Sequence, residues 1–208
     1  MMLTELPYYP PGTVRGLIES DLVTPPTRRA LRDRLHRRPA APRFFEPHAF
    51  AVIAAACARL IPQPERERPI DLPGLLDERL AGGEGDGWRY ARMPADPDMH
   101  ARGATGLDQT AHERFGCGFS QALSAERDAV LSAVQSGTAE GEIWREMDAA
   151  CYFEELLALL VDIYYADPLA LEEIGYAGMA DGHGWQAIGL DERDAHEPLA
   201  RTAQRGAA

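Results

Sequence analysis

The chain has 208 residues, 45% of them hydrophobic and 26% charged, enough for one domain with an arm or for two very small domains. Its formal net charge of −12 argues against nucleic acid as the main partner, because phosphates demand a basic surface. No stretch approaches the ~20 continuous apolar residues of a membrane span, so direct membrane insertion is not expected.

Residues 1–43 read as an arm. They carry seven of the 16 prolines, and proline fixes φ and removes an amide donor, so regular structure is resisted. They also hold eight arginines against four acids, whereas the other 165 residues hold 13 arginines against 29 acids. Every cation is arginine. High-GC codon usage explains that, and so does retention of arginine for bidentate pairing with carboxylates. Thr27 to Arg38 is the one part of the arm expected to be helical, with Thr27 as its cap. It reads equally as a solvated surface helix and as a basic strap over an acidic partner. No leader is recognised: Met1 to Tyr9 lacks an apolar run, and the pair Arg28-Arg29 is followed by charged residues rather than an apolar stretch. The expectation is a cytoplasmic protein, with the periplasm as the alternative if an exported partner carries it.

Helical periodicity begins at Glu46. Pro47 suits a first turn, and Phe50, Ile53, Ala54, Cys57, Leu60 and Ile61 recur at three- and four-residue steps until Pro62 and Pro64. A second short helix is expected from Asp71, capped by that residue, with Leu72, Leu75, Leu76 and Leu80 inward and Gly82-Gly83 at its end. Residues 82–106, rich in Gly, Pro and Asp, read as a long irregular loop tied down by Trp88 and Tyr90. Helix resumes from Leu107 to Phe115. Ser124 then caps a helix carrying Leu123, Val130, Leu131 and Val134, closed by Gly137. The longest helix is expected from Glu142 to Tyr165, as the centre of the domain, and Asp167-Pro168 ends it. In the tail from Leu169 to Leu190, Gly175, Gly178, Gly182, Gly184 and Gly189 interleave with Tyr176, Trp185 and Ile188. Glycine permits close backbone approach and aromatics supply contact area. The expected fold is all-α: an orthogonal bundle of about five helices with a proline-rich N-terminal arm, a long irregular loop and a Gly/aromatic C-terminal tail. Its expected parts are an arm over 1–43, a helical domain over 44–198 and a disordered tail over 199–208.

Catalytic patterns are sparse. With no lysine anywhere, a P-loop or Schiff-base site is excluded. The run Gly82, Gly83, Gly85, Gly87 lacks both the spacing and the preceding strand of a dinucleotide loop. Gly118-Phe119-Ser120 lacks the second glycine of a nucleophile elbow, since Ala122 stands there. None of the six histidines has a glutamate three positions before it, as a di-metal bundle requires, although His112 with Cys117, or Glu154 with Asp162, could be near neighbours. Cys57, Cys117 and Cys151 show no zinc spacing and read as mostly buried thiols, with one disulfide open if the chain is exported. No catalytic, metal or cofactor residue is therefore assigned. His183, in Asp181-Gly182-His183-Gly184-Trp185, is either a solvated loop residue or the edge of a neighbouring subunit's site.

Three tracts in order, Ile163-Tyr164-Tyr165-Ala166-Asp167-Pro168, Glu173-Ile174-Gly175-Tyr176-Ala177-Gly178 and Gly184-Trp185-Gln186-Ala187-Ile188-Gly189, resemble the C-terminal signature of the gluconate 2-dehydrogenase subunit 3 family. Phe50 to Pro62 is similar to that family's first core helix, and Gly106-Leu107-Asp108 through Phe115-Gly116, Phe119 and Leu123 to its middle segment. The similarity spans roughly residues 44–198. It departs from the family in lacking an export leader, in Ala177-Gly178-Met179 at the turn, and in its basic arm. The resemblance implies a non-catalytic partner of a large flavoprotein of the glucose-methanol-choline type. That large subunit would bind FAD and oxidise a sugar or alcohol, with electrons leaving through it or through a cytochrome. On this reading Tyr165, Asp167, Pro168, Gly175, Tyr176, Gly178, His183, Gly184, Trp185 and Ile188 are the partner-binding residues. Two rival readings stay open: a chaperone for maturation of the flavoprotein, and a stand-alone helical enzyme using a metal.

Overall fold

Proline sets where most helices start. In the computed structural model, which describes residues 8–39, 41–64, 66, 68–83 and 90–201, a proline stands in the first turn of α1 (Pro25–Leu35), α2 (Pro47–Leu60), α3 (Leu72–Gly82), α4 (Asp96–Phe115) and α8 (Pro168–Glu173). A first-turn amide has no intrahelical acceptor, so losing it there costs nothing. Between α4 and α8 lie α5 (Ser124–Gln135), α6 (Ile143–Glu146) and α7 (Ala149–Tyr165), and a 3-10 turn covers Arg15–Glu19. Among the described residues there is no strand, only one isolated antiparallel bridge between Tyr8 and Arg201. The fold is all-α.

Several boundaries differ from those the sequence suggests. The arm helix starts at Pro25 behind Thr24, not at Thr27. α2 is rotated so that Val52, Ile53, Ala56 and Cys57 are buried, while Phe50 and Leu60 are only half-buried. The region expected to be a loop up to residue 106 contains the first half of α4, at 20 residues the longest helix among those described. Trp88 lies outside the described residues. Leu123 is 71% exposed rather than part of the core, and its amide donates to Glu126 (2.7 Å), closing the start of α5. The expected long helix from Glu142 is two helices. It breaks at Met147, which turns to extended backbone, and at Asp148, whose carboxylate accepts the Cys151 amide (3.0 Å).

Two compact units result, one within Pro39–Ile163 and one that joins the segment before Pro39 to the segment from Tyr164 onward. The expected partition cut the chain at 43/44 and 198/199 instead; of its last part, residues 202–208 lie outside those described. In the first unit α2 packs on α3, α4 and α5, and α4 on α5 and α6. Aromatic rings seat themselves in notches on α4. A β-carbon at Gly103 would lie 2.0 Å from the Tyr152 ring, and one at Gly106 2.4 Å from the Trp144 ring. Trp144 also donates to Thr110 Oγ1 (2.9 Å), which in turn donates to the Glu140 carbonyl (2.6 Å). The approach to α2 is pinned by the buried Asp77 carboxylate, which accepts the amides of Arg43 (2.6 Å), Phe44 (3.0 Å) and Phe45 (2.8 Å).

The second unit has its own small core of Val14, Ile18, Val23, Leu31, Leu171 and Met179, with Leu35 at its edge. The arm supplies four of the six, because prolines prevent it from burying apolar residues by periodic packing of its own. α1, the 3-10 turn and α8 contact one another pairwise.

Candidate functional site

All ten residues singled out at the carboxyl end lie in the second unit. α7 ends at Tyr165, and Asp167 does more than stop it: its carboxylate accepts the Leu169 amide (2.8 Å) and so caps α8. Pro168 is buried in the first turn of α8, which leaves it out of a partner's reach. α8 presents Glu172, a buried carboxylate, to the arm. It accepts the amides of Gly12 (2.7 Å), Val14 (3.1 Å) and Arg15 (3.0 Å) and the Arg15 guanidinium (2.8 Å). Burial works to raise its pKa, but the Arg15 guanidinium and these amides outweigh that and hold it below the ordinary range.

Two glycines of the tail, Gly175 and Gly182, serve the chain's own arm. Gly175 has φ +64°, and a β-carbon there would lie 2.3 Å from the Tyr9 ring. A β-carbon at Gly182 would lie 2.8 Å from the Asp21 carbonyl, and the Gly182 amide donates to Leu22 (2.7 Å). Gly178 leaves room for the Tyr176 ring of the same turn. Asp181 fixes the contact: it accepts the Thr24 amide (2.7 Å) and the hydroxyls of Thr24 (2.7 Å) and Thr27 (2.6 Å), which lower its pKa to about 2. Arg28 donates to the carbonyls of Ile18 (2.7 Å), Ser20 and Val23 (3.0 Å).

Several large apolar side chains also face outward. Tyr165 is 38% exposed, Tyr176 and Trp185 50%, Ile188 84% and Leu190 94%. Tyr165 meets Tyr164 edge to face, and Trp185 lies at 6.0 Å from the His196 ring. His183 and Gly184 are exposed, and Gly184 turns the backbone at φ +64°. The loop after them is closed by acids. Asp194, buried, accepts the amides of Gln186 (3.1 Å) and Ala187 (3.0 Å); Glu192 accepts Gly189 (3.0 Å); Glu197 accepts Asp194 (2.5 Å). Nothing local in the sequence marks Glu172, Leu190, Asp194 and Glu197 as part of this site. The spacing of Asp194 from Gln186 has no local signature, so only an Ile-x-Leu pair set among glycine and acids could have drawn notice.

The other unit carries an apolar groove, buried thiols and paired polar groups. A groove of about 590 Å³, lined by Pro39, Ala54, Cys57, Pro62 and Pro69 among others, is apolar. Burial pushes the Cys57 thiol up to about 12, so it stays protonated and a poor nucleophile. Burial also raises Cys151, against the opposing Arg92 guanidinium 2.7 Å from its sulfur. All three cysteines are free. Asp108 accepts the Phe119 amide (2.9 Å) and stands 3.2 Å from His48 and 3.5 Å from His112. Asp162 pairs with Arg79 (2.6 Å). Among the described residues no group of three His, Cys, Asp or Glu is placed to hold a metal, and no helix is long and apolar enough to cross a membrane.

The sequence pattern of gluconate 2-dehydrogenase subunit 3 matches residues 47–191, which take in α2 to α8 and the exposed tail as far as Asp191. The chain belongs to that family. No curated protein and no solved structure matches it.

Proposed function

We propose that this chain is the small, non-catalytic subunit that binds and stabilises an FAD-dependent sugar or alcohol dehydrogenase of the glucose-methanol-choline type. The flavin belongs to the larger partner, and electrons leave through that partner or through a cytochrome. One observation carries the reading: in a member of a dehydrogenase-subunit family, Tyr165 at the end of α7 and Tyr176, Trp185 and Ile188 on the tail stay exposed, while Asp181 and Asp194 pin the tail's backbone by hydrogen bonds. Aromatic side chains dominate interface energetics, and an apolar surface left open on an otherwise satisfied segment marks a contact site. The chain's own titratable groups fit the passive role, since its buried thiols and its buried His100 are held uncharged.

Co-expression with the flavoprotein subunit of the same genome tests this. Size exclusion should give one peak of fixed stoichiometry that carries the visible absorbance of a flavin, a property of the cofactor rather than of this chain. Turnover by the isolated chain, or a stoichiometric metal in it, would refute the reading in favour of a stand-alone enzyme. Association that ends once the flavoprotein has folded would make the chain a chaperone instead.

A further inference from the structure

Ile188 and Leu190 are the two most exposed large hydrophobic residues among those described. A lone exposed leucine such as Leu123 needs no explanation. This pair differs because the backbone that carries it is fixed from within. The Gln186 and Ala187 amides, just before the pair, end on the buried Asp194 carboxylate. The Gly189 amide, between the two residues, ends on Glu192, and the Glu192 amide returns to the Gly189 carbonyl (3.2 Å). Asp194 is held in turn by Glu197, and Gln186 Nε2 donates to the His183 carbonyl (2.8 Å). Directly after Leu190, Asp191 adopts φ +59°, a region that disfavours side chains, Asp and Asn least. Acid side chains thus spend their hydrogen-bonding capacity on holding two aliphatic side chains away from the chain's own core.

We propose, on the basis of the accessory-subunit reading, that residues 183–197 form a preorganised docking loop whose Ile188–Leu190 pair inserts into an apolar pocket of the catalytic subunit. A loop already in its bound shape avoids the ordering cost that a flexible apolar segment pays on association. Charge names the rim of that pocket. Among residues 188–197 the outward acids are Asp191 and Glu192, with Glu197 half-buried, against the single arginine Arg193. The pocket is therefore bordered by cationic groups of the partner, which steer encounter and fix the register more than they add affinity.

The test uses the full chain and the flavoprotein subunit, with the equilibrium constant measured by interferometry and the free chain followed by hydrogen exchange. I188A/L190A weakens binding by at least about 100-fold, since about six buried carbons are removed, and leaves the melting temperature of the free chain unchanged. D194A abolishes the protection of the Gln186 and Ala187 amides in the free chain and weakens binding about tenfold with both anchors intact. D191N weakens binding a few-fold and flattens its salt dependence. Undiminished binding by I188A/L190A overturns the anchor while leaving the accessory-subunit reading in place. Failure of the unaltered chain to bind removes that reading and the anchor together. Unprotected Gln186 and Ala187 amides in the unaltered chain overturn the preorganised loop. A dimer of the lone chain that I188A/L190A dissociates makes a second copy the occupant and overturns the proposal.

Discussion

Replacing His100 by leucine should flatten the acid side of the stability profile. His100 is 1% exposed on α4, its ring lies 6.0 Å from that of Tyr152, and its Nδ1 has no hydrogen-bond partner. Burial alone lowers its pKa from 6.5 to about 4. The unfolded chain therefore takes up a proton below pH 6.5 that the folded chain refuses until about pH 4. Stability is fully present above pH 6.5 and is lost as pH falls through that window. At about 1.4 kcal/mol per pKa unit the total loss is about 3 kcal/mol, of which about 2 kcal/mol falls between pH 6.5 and 4.5. Urea midpoints followed by far-UV circular dichroism at pH 7.5, 6.5, 5.5 and 4.5 would measure it. The window closes before Asp181 titrates, because that carboxyl is protonated in the unfolded chain only near and below pH 3.8. In His100→Leu the loss between pH 6.5 and 4.5 should shrink by about 2 kcal/mol, leaving only the onset of carboxylate protonation near pH 4.5, to which Glu172 contributes. At pH 7.5 the variant should be as stable as the parent or more so, by up to ~1–3 kcal/mol, since an orphaned buried nitrogen is gone. Parallel pH curves for the two proteins, or a His100 ring proton titrating near 6.5 in the folded chain, would refute the reasoning.

Other expectations follow from the same contacts. Gly103→Ala forces a methyl group into the Tyr152 ring and should cost ~1–3 kcal/mol, read as a lower melting temperature. Glu172→Ala strands three amides and the Arg15 guanidinium, and should cost ~3–5 kcal/mol of the second unit's stability. Limited proteolysis should then cut within residues 8–38 at sites resistant in the parent, and an unchanged digest would count against the role given to this carboxylate. Asp181 is held ionised, so its support of Thr24 and Thr27 should persist above pH 3.8 and disappear as pH falls toward 2. The Thr24 amide shift in nuclear magnetic resonance would report that titration. Cys57 in the folded chain should resist iodoacetamide at pH 8, whereas rapid labelling would contradict its burial.

Helix starts were legible at α2 and α3, where local residues mark them plainly. Pro47 opens α2, and Asp71 with Pro73 and Gly83 delimits α3 as its carboxylate and left-handed glycine require. The start of α4 was not. Gly103 and Gly106 look like breakers in a glycine- and proline-rich stretch, and only the distant rings of Tyr152 and Trp144 give them a helical purpose. The break at Met147–Asp148 was hidden because apolar residues continue at helical spacing on both sides. The role of the arm was hidden for a similar reason. Val14, Ile18, Val23 and Leu31 follow no period, and what they pack on is Leu171 and Met179. At the tail, Tyr176, Trp185 and Ile188 stood out by residue type among glycines. Leu190 and the acids that fix its loop did not, since a carboxylate spaced irregularly from the amides it binds resembles any solvated charge.

The pairing of Tyr8 with Arg201, and of Gly12 with Glu172 across 160 positions, bears on how the molecule is made. A ribosome delivers the early half of that small core long before the late half exists. Until then Val14, Ile18 and Leu31 have nowhere to go, and closing so wide a sequence gap delays their burial. The outward-facing rings and aliphatics thus come into position only after the segment from Tyr164 to Glu197 has been made, so a copy halted before that point lacks the exposed surface altogether.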